Sequence, residues 1–518
     1  MVGSRAVTVR PAIVGLVLLS VAVAGCVAPS AEELDPGSLP GAAEWWLRAI
    51  PNGEDHEHAD PVQHVGLSTP NFRVLGYDDL QTETYGKTLH GMGCGGAGTT
   101  ADGRRIAVVH SISTDVSFVV ADVTDPAAPQ MLGEYYMPNA VIWDATVTPD
   151  GMHVLVGAYP YWIFALFSRD PAAFVPTLPK PEADVPLQLF YRDACTGETR
   201  DLSPSPEQYL PFGPGIVMVG LQDPTQPKLE DWVPQPWVGP HSVSAAEVDG
   251  VTYATSSVTN LVHQISYYSF FEVASTPAGS QLEPLSVIRA PGGNLPFTGN
   301  GHIDVEIAKH PITGQVLAYL ANWDAGVSIY DLTDPRMPEH VGTWTDGDAG
   351  SLHTTLPLPD VWADGRHYTI AGQEVGEPED LPTGWVYILD TTDPADIQEV
   401  GRWTLPYKFP WGKEGEGTGL RFSPHYVEVV NETLFVSNYH GGVWAVDLAD
   451  LKDPEAVGVF VPDREPAEPL AEEGREVSVE DVIAYEDGVL TAWDGSGGIY
   501  QLRFNDAMRW PRAPAWQE

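Results

Sequence analysis

The chain has 518 residues, 43% of them hydrophobic, with Gly 51 and Pro 47, so it can bury a large core and its density of turn formers excludes a helical bundle or a disordered chain. Lys+Arg 26 against Asp+Glu 71 leaves a net charge of −45. A field of that sign repels phosphate, which excludes nucleic acid as a partner and reads as a solvated acidic surface.

Residues 1–26 read as an address. Arg5 and Arg10 form a basic region, "AIVGLVLLSVAVAG" is a short apolar stretch, and "VAGC" ends it at Cys26. Small residues before this cysteine resemble the lipobox of prokaryotic lipoproteins, which implies lipidation of the Cys26 thiol, membrane lipid as a partner and an exported protein anchored to the outer face of the cell membrane. Residues 27–70 are polar and turn-rich, as in "APSAEELDPGSLPG" and "NGEDHEHADPVQH", and predict a tether. The remaining cysteines, Cys94 and Cys195, are either bridged or free; no C-x-x-C or Cys/His zinc spacing occurs.

Beyond the tether one phrase recurs. "VVADVTDPAAPQMLGEY" (119–135), "MVGLQDPTQPKLEDW" (218–232), "SIYDLTDPRMPEHVGTW" (328–344), "YILDTTDPADIQEVGRW" (387–403) and "AVDLADLKDPEAVGVF" (445–460) each place an Asp-Pro corner between two β-rich runs. Asp accepts turn N–H groups, and Pro fixes φ and cannot continue a ladder, so one strand must end and another begin. Each corner follows a hairpin such as "DATVTPDGMHVLVGAY" (144–159) or "HYVEVVNETLFVSNY" (425–439), which gives four strands, A to D, per unit. Units 241–290 and 480–504 lack the Asp-Pro corner, and the last has only three strands. The orphan strand "NFRVLGYDDL" (71–80) is expected to supply its fourth by pairing with 497–504.

Four-stranded units repeated round a circle make a β-propeller. The prediction is all-β: a seven-bladed β-propeller over 71–505, closed by an N-terminal strand, with an insertion at 159–213 in blade two and a C-terminal tail at 506–518. Phrases such as "VVADVTDPAAP" and "YDLTDPRMP" resemble the LVIVD-repeat family of surface-exposed prokaryotic proteins. The resemblance implies the propeller fold and a surface location but no activity.

No G-x-S-x-G, H-E-x-x-H, Walker or Rossmann fingerprint is present, and "GMGCGGAG" (91–98) lacks the strand-to-helix context for phosphate. Laying the blades over one another does reveal a pattern. Strand A opens with His in four successive units, at His241, His302, His353 and His425. Because strand B returns to the face where strand A starts, the B–C turns should bring Asp324, Glu374, His440 and Asp494 to that face, with Glu480 opening the last strand A. At least three of the histidines are expected to lie near enough to share a centre at the mouth of the axial channel.

Imidazole with carboxylate suits zinc, copper or iron, and a negative funnel concentrates cations. The outline is similar to propeller enzymes that hold copper at the axis, nitrous oxide reductase and the selenium-binding methanethiol oxidases; no ligand is carried over from them. The same histidines can instead brace adjacent blades. Two functions follow: a lipid-anchored surface module binding a partner protein, glycan or small ligand, or a metal-dependent enzyme, an oxidoreductase among the options, with its site at the mouth.

Overall fold

The structure, a computed structural model, describes residues 68–69, 71–80, 92–111, 117–137, 140–160, 190–192, 199–201, 215–235, 240–260, 265–276, 279–289, 304–323, 325–345, 351–374, 384–405, 423–439, 441–462, 478–495 and 498–507. They form seven four-stranded antiparallel sheets and one small hairpin, Phe190–Arg192 with Thr199–Asp201, inside the insertion of blade 2. No helix occurs among the described residues. Strand A of each blade packs against strand A of the next, and that of blade 7 against that of blade 1, so the sheets make a β-propeller.

Blades 1 to 6 take their strands in chain order, from Met92–Thr99 (A of blade 1) to Glu455–Phe460 (D of blade 6). In blade 7 the order is Val479–Ala484, Val489–Asp494, Gly498–Phe504 and then Phe72–Asp78, with Phe72 opposite Phe504 and Asp78 opposite Ile499. The chain engages the disc before Asn71. Thr69 donates its N–H to the Val459 carbonyl (2.9 Å) and accepts the Val459 N–H at Oγ1 (2.9 Å), while Asn71 Nδ2 donates to Val457 O (2.7 Å). The N-terminal segment therefore ties blade 6 to blade 7.

Middle strands are covered on both faces by neighbouring blades. Every residue of Tyr368–Gln373 and of Val386–Asp390 is buried, which is why "YTIAGQ" and "VYILD" show no in-out alternation. Strand D lies at the rim and is partly exposed, as in Glu339–Trp344.

The recurrent corner is an Asx turn. Asp334 Oδ1 accepts the Arg336 N–H (3.1 Å) and its carbonyl accepts the Met337 N–H (2.9 Å); Asp125, Asp223 and Asp393 do the same. In blade 6 the corner residue is Asp450, which accepts the Lys452 N–H (3.0 Å), and not the Asp453-Pro454 pair that the sequence pattern selects. Leu451 stands where other blades carry the proline, and Pro454 matches the second proline, Pro338, of blade 4.

The corner has a receptor on the preceding blade. Strand D carries a glycine at Gly76, Gly133, Gly342 and Gly401, where a Cβ would fall at or under 2.5 Å from the carbonyl oxygen of Pro126, Pro224, Pro394 and Leu451 respectively. Each of these strands has a register shift beside the glycine. Bulge and glycine together let the next blade's corner seat against strand backbone. In blade 3, which has no such glycine, Ser286 Oγ donates to Pro335 O (2.7 Å) at the same seam. The repeated sequence grammar is thus the two halves of one inter-blade joint.

Candidate functional site

The beginnings of strand A and the ends of strand B lie on one face, as strand direction requires, and the channel mouth is built from a shared irregularity. A register shift at the start of strand A leaves one extra residue in blades 2, 3, 5 and 7: Trp143, His241, His353 and Glu480. A bulge re-aims the side chain of its extra residue. The sequence overlay grouped His241 with His353 but missed that Trp143 and Glu480 occupy the same position.

Two of the predicted histidines meet. His353 and His425 stack across the seam of blades 5 and 6 with ring centroids 4.3 Å apart and planes at 30°. His425 Nδ1–H donates to the Glu480 carbonyl of blade 7 (2.6 Å), with Glu480 Oε2 at 3.7 Å. Tyr439, at the end of strand B of blade 6, lies 4.7 Å from His425 ring to ring and donates its hydroxyl to Glu374 Oε1 (2.6 Å). Ser478 completes the arc: its hydroxyl donates to Glu480 Oε1 (2.6 Å) and its N–H to Asp494 Oδ1 (2.9 Å). His353, His425, Glu374, Glu480 and Asp494 are thereby linked over three blades.

Two features mark this arc. His353 is 2% exposed and its Nδ1 has no hydrogen-bond partner among the described residues. Burial lowers its pKa, against the pull of Glu374 and of a hydrogen bond to the His425 backbone; in the neutral ring the nitrogen that makes this bond carries the proton, which leaves Nδ1 a lone-pair acceptor without a donor among the described residues. Buried polar atoms of this kind call for an occupant. The homologous turn residues Trp323 and Tyr439 also hold φ at 39° and 47°, a region that bulky side chains avoid. Each is held there by backbone pairing to the next blade, Trp323 to Leu352 and Tyr439 to Val479.

The other candidates are placed differently. His241 packs on Trp143 (5.1 Å, 50°) and bonds Ser242 Oγ through Nδ1 (3.1 Å). His302, Asp324, His440, Cys26 and Cys195 lie outside the described residues. Among the described residues no three His, Cys, Asp or Glu side chains are placed to hold a metal ion: His425 commits Nδ1 to a backbone carbonyl and His241 packs on a tryptophan, while His302, His440 and Asp324 of the expected set lie outside those residues. The aromatic Trp493 is blade packing, fully buried with Nε1–H on Val108 O (3.1 Å).

A second layer lies along strand A, and sequence reasoning did not bring its members together. Asp144 and Asp481 lie within strand A of blades 2 and 7, Asp304 immediately precedes strand A of blade 4, and all three are buried. Each joins its blade to the next. Asp144 accepts the Val243 N–H (2.8 Å), Asp304 the Thr354 hydroxyl (3.2 Å) and Asp481 the Gly95 N–H (3.3 Å). Glu306 and Glu428, largely buried, lie on strand A of blades 4 and 6. Desolvation pushes Asp144 and Asp304 up to about 7 and Glu428 to about 8, and raises Glu306 and Asp481 well above the carboxylate range. Repulsion adds to this for four of them: Asp304 acts on Asp144, Glu306 and Glu428, and Glu428 on Asp481. Carboxylates from four blades that feel one another face a common axial space.

No family model and no curated protein matches the chain. Among solved structures, the crystal structure of Sqt1 from Saccharomyces cerevisiae is similar at 10% identity, covering 83% of this chain and 98% of that one with a TM-score of 0.45.

Proposed function

We propose that the protein is a lipid-anchored, extracytoplasmic propeller that acts as a binding module, and that its mouth takes a small ligand or glycan through a hydrogen-bond donor group, an ammonium or a hydroxyl. The observation that carries this is the unmet acceptor at His353 Nδ1 beside the Tyr439–Glu374 pair. A donor placed there satisfies the imidazole, and the carboxylates of Glu374 and Glu480 favour a ligand that is cationic or rich in hydroxyls. The net charge of −45 speeds the approach of a cation. Resemblance to the LVIVD repeats and the lipobox at Cys26 support the surface location.

The test is equilibrium binding of a panel of oligosaccharides and of primary and quaternary amines to the wild type, His353→Ala and Glu374→Gln. At least one ligand should bind the wild type and lose about ten-fold or more in affinity in each variant, the cost of one charge-assisted hydrogen bond. Indifference of every bound ligand to both substitutions overturns the reading. Stoichiometric transition metal in the purified protein, with binding or turnover lost on chelation, replaces it with the metal-dependent enzyme.

The anchor has its own expected result. Cys26→Ser should move the protein from the membrane fraction to the soluble fraction, because lipidation needs the thiol. A variant that remains membrane-bound contradicts lipid anchoring.

A further inference from the structure

The face opposite the mouth, where the A–B turns and C–D corners lie, holds a second pair of histidines that the binding reading does not use. His310 sits in the A–B turn of blade 4 and His367 enters strand B of blade 5; both are fully buried, and their rings meet edge-on at 4.5 Å and 70°. Every ring nitrogen is satisfied in the neutral form. His310 Nδ1 accepts the N–H groups of Ile312 (3.3 Å) and Thr313 (3.1 Å), and its Nε2–H donates to Thr391 O (2.9 Å). His367 Nε2–H donates to Leu358 O (2.8 Å), and its Nδ1 accepts the Thr391 hydroxyl (2.9 Å). Thr391, next to the corner of blade 5, therefore grips a histidine from each blade and also gives its N–H to His367 O (2.9 Å).

A proton has nowhere to go in this arrangement. At His310 it would displace two backbone N–H groups that form the turn. At His367 it would oblige the Thr391 hydroxyl to swing its hydrogen toward Thr369 Oγ1 (3.0 Å), and a charged ring would then face its neighbour 4.5 Å away. Little nearby offsets that charge. Asp390, the carboxylate that acts on His367, is already paired with Arg366, and Asp364 accepts the Tyr368 hydroxyl (2.6 Å). Lys309, beside His310, is paired with Asp249 (2.8 Å), and the Tyr319 ring, 6.4 Å from His367, is neutral and apolar on that side. The exit is cheap, however: residues 311–314 are exposed, so only the His310 side chain has to leave for both of its nitrogens to reach water.

We propose that the His310–His367–Thr391 clasp is an acid-released switch, in which proton uptake frees the turn His310–Gln315 and loosens the seam between blades 4 and 5 while the rest of the ring stays folded. Burial and the neighbouring imidazole hold His367 low, at about 4, consistent with a clasp that closes only when both rings are neutral.

Hydrogen exchange of the full chain at about pH 7.5 and about pH 5, corrected for the intrinsic rate, tests this. Protection of the amides of Ile312, Thr313 and Gly314 should fall about ten-fold or more at the lower pH. The histidine-free A–B turn of blade 1, closed by Gly103 N–H on Thr100 O (2.8 Å), should keep its protection. His310→Asn, whose amide oxygen can accept the same turn N–H groups without titrating, should remove the pH dependence. Equal protection of 312–314 at both pH values in the wild type overturns the proposal, as does an undiminished pH effect in His310→Asn. If that variant does not fold, the wild-type comparison of the two turns decides alone.

Discussion

Gly401→Ala should destabilise the protein by about 3 kcal/mol or more, the upper range for overpacking, because the new methyl group meets backbone and not a movable side chain. The Cβ would fall on the carbonyl of Leu451 with Lys452 Cα behind it. Neither can retreat, since both belong to a turn fixed by Asp450. Gly342→Ala, against Pro394 and Ala395, should behave alike. Ser286→Ala at the corresponding seam of blade 3 removes a single hydrogen bond to Pro335 O and should cost about 1 kcal/mol. Chemical denaturation of the three variants checks this. Similar losses for all three would show that the seams yield more readily than close-packed backbone allows.

The second large effect is with pH. Asp144, Asp304 and Glu428 have folded pKa values raised to about 7, about 7 and about 8, far above their values in an unfolded chain. For a carboxyl raised on folding, the unfolded state releases its proton first as pH increases. Stability is therefore fully present below about pH 4 and is lost as pH rises through 7 to 8. For Asp304 alone the loss reaches about 4 kcal/mol, and the groups are coupled, so the sum is smaller than three separate losses. Denaturation midpoints should fall steeply between about pH 5.5 and about pH 9, and the double variant Asp304→Asn, Glu428→Gln should flatten that slope. A wild-type midpoint that does not change over this range would mean that the axial carboxylates are hydrated or paired.

His367 sets the opposite limb. Its folded pKa of about 4 lies below the usual 6.5, so the stability it contributes is present above 6.5 and lost as pH falls toward 4. Acid loosening on the face opposite the mouth and alkaline loosening at the axis therefore have different residues behind them, and the two sets of substitutions separate them.

The architecture was legible because it is written locally. Asp and Pro at a corner and alternation or continuous β-branched runs around it act over a few residues, and repetition counts the blades. The last corner was misassigned because two Asp-containing turns overlap in "LADLKDP", where only the hydrogen bonds of Asp450 decide. Strand D glycines stood in plain view in "VGTW" and "VGRW", but their reason is a carbonyl some fifty residues away in sequence. The site was less legible for the same cause. A bulge shifts which residue points at the mouth, so Trp143 and Glu480 share the position of His241 and His353 with no common residue type to mark it. Asp144, Asp304, Glu428 and Asp481 become a cluster only when blades far apart in sequence meet at the axis.

Whether His353 offers its Nδ1 lone pair to a ligand is decided by nitrogen-15 NMR of the imidazoles during titration with the tightest-binding member of the amine and saccharide panel. The His353 Nδ1 resonance should start as that of an acceptor nitrogen without a proton and shift in proportion to occupancy, while those of His310 and His367, on the other face, do not move. Saturating ligand with an unchanged His353 resonance would contradict it.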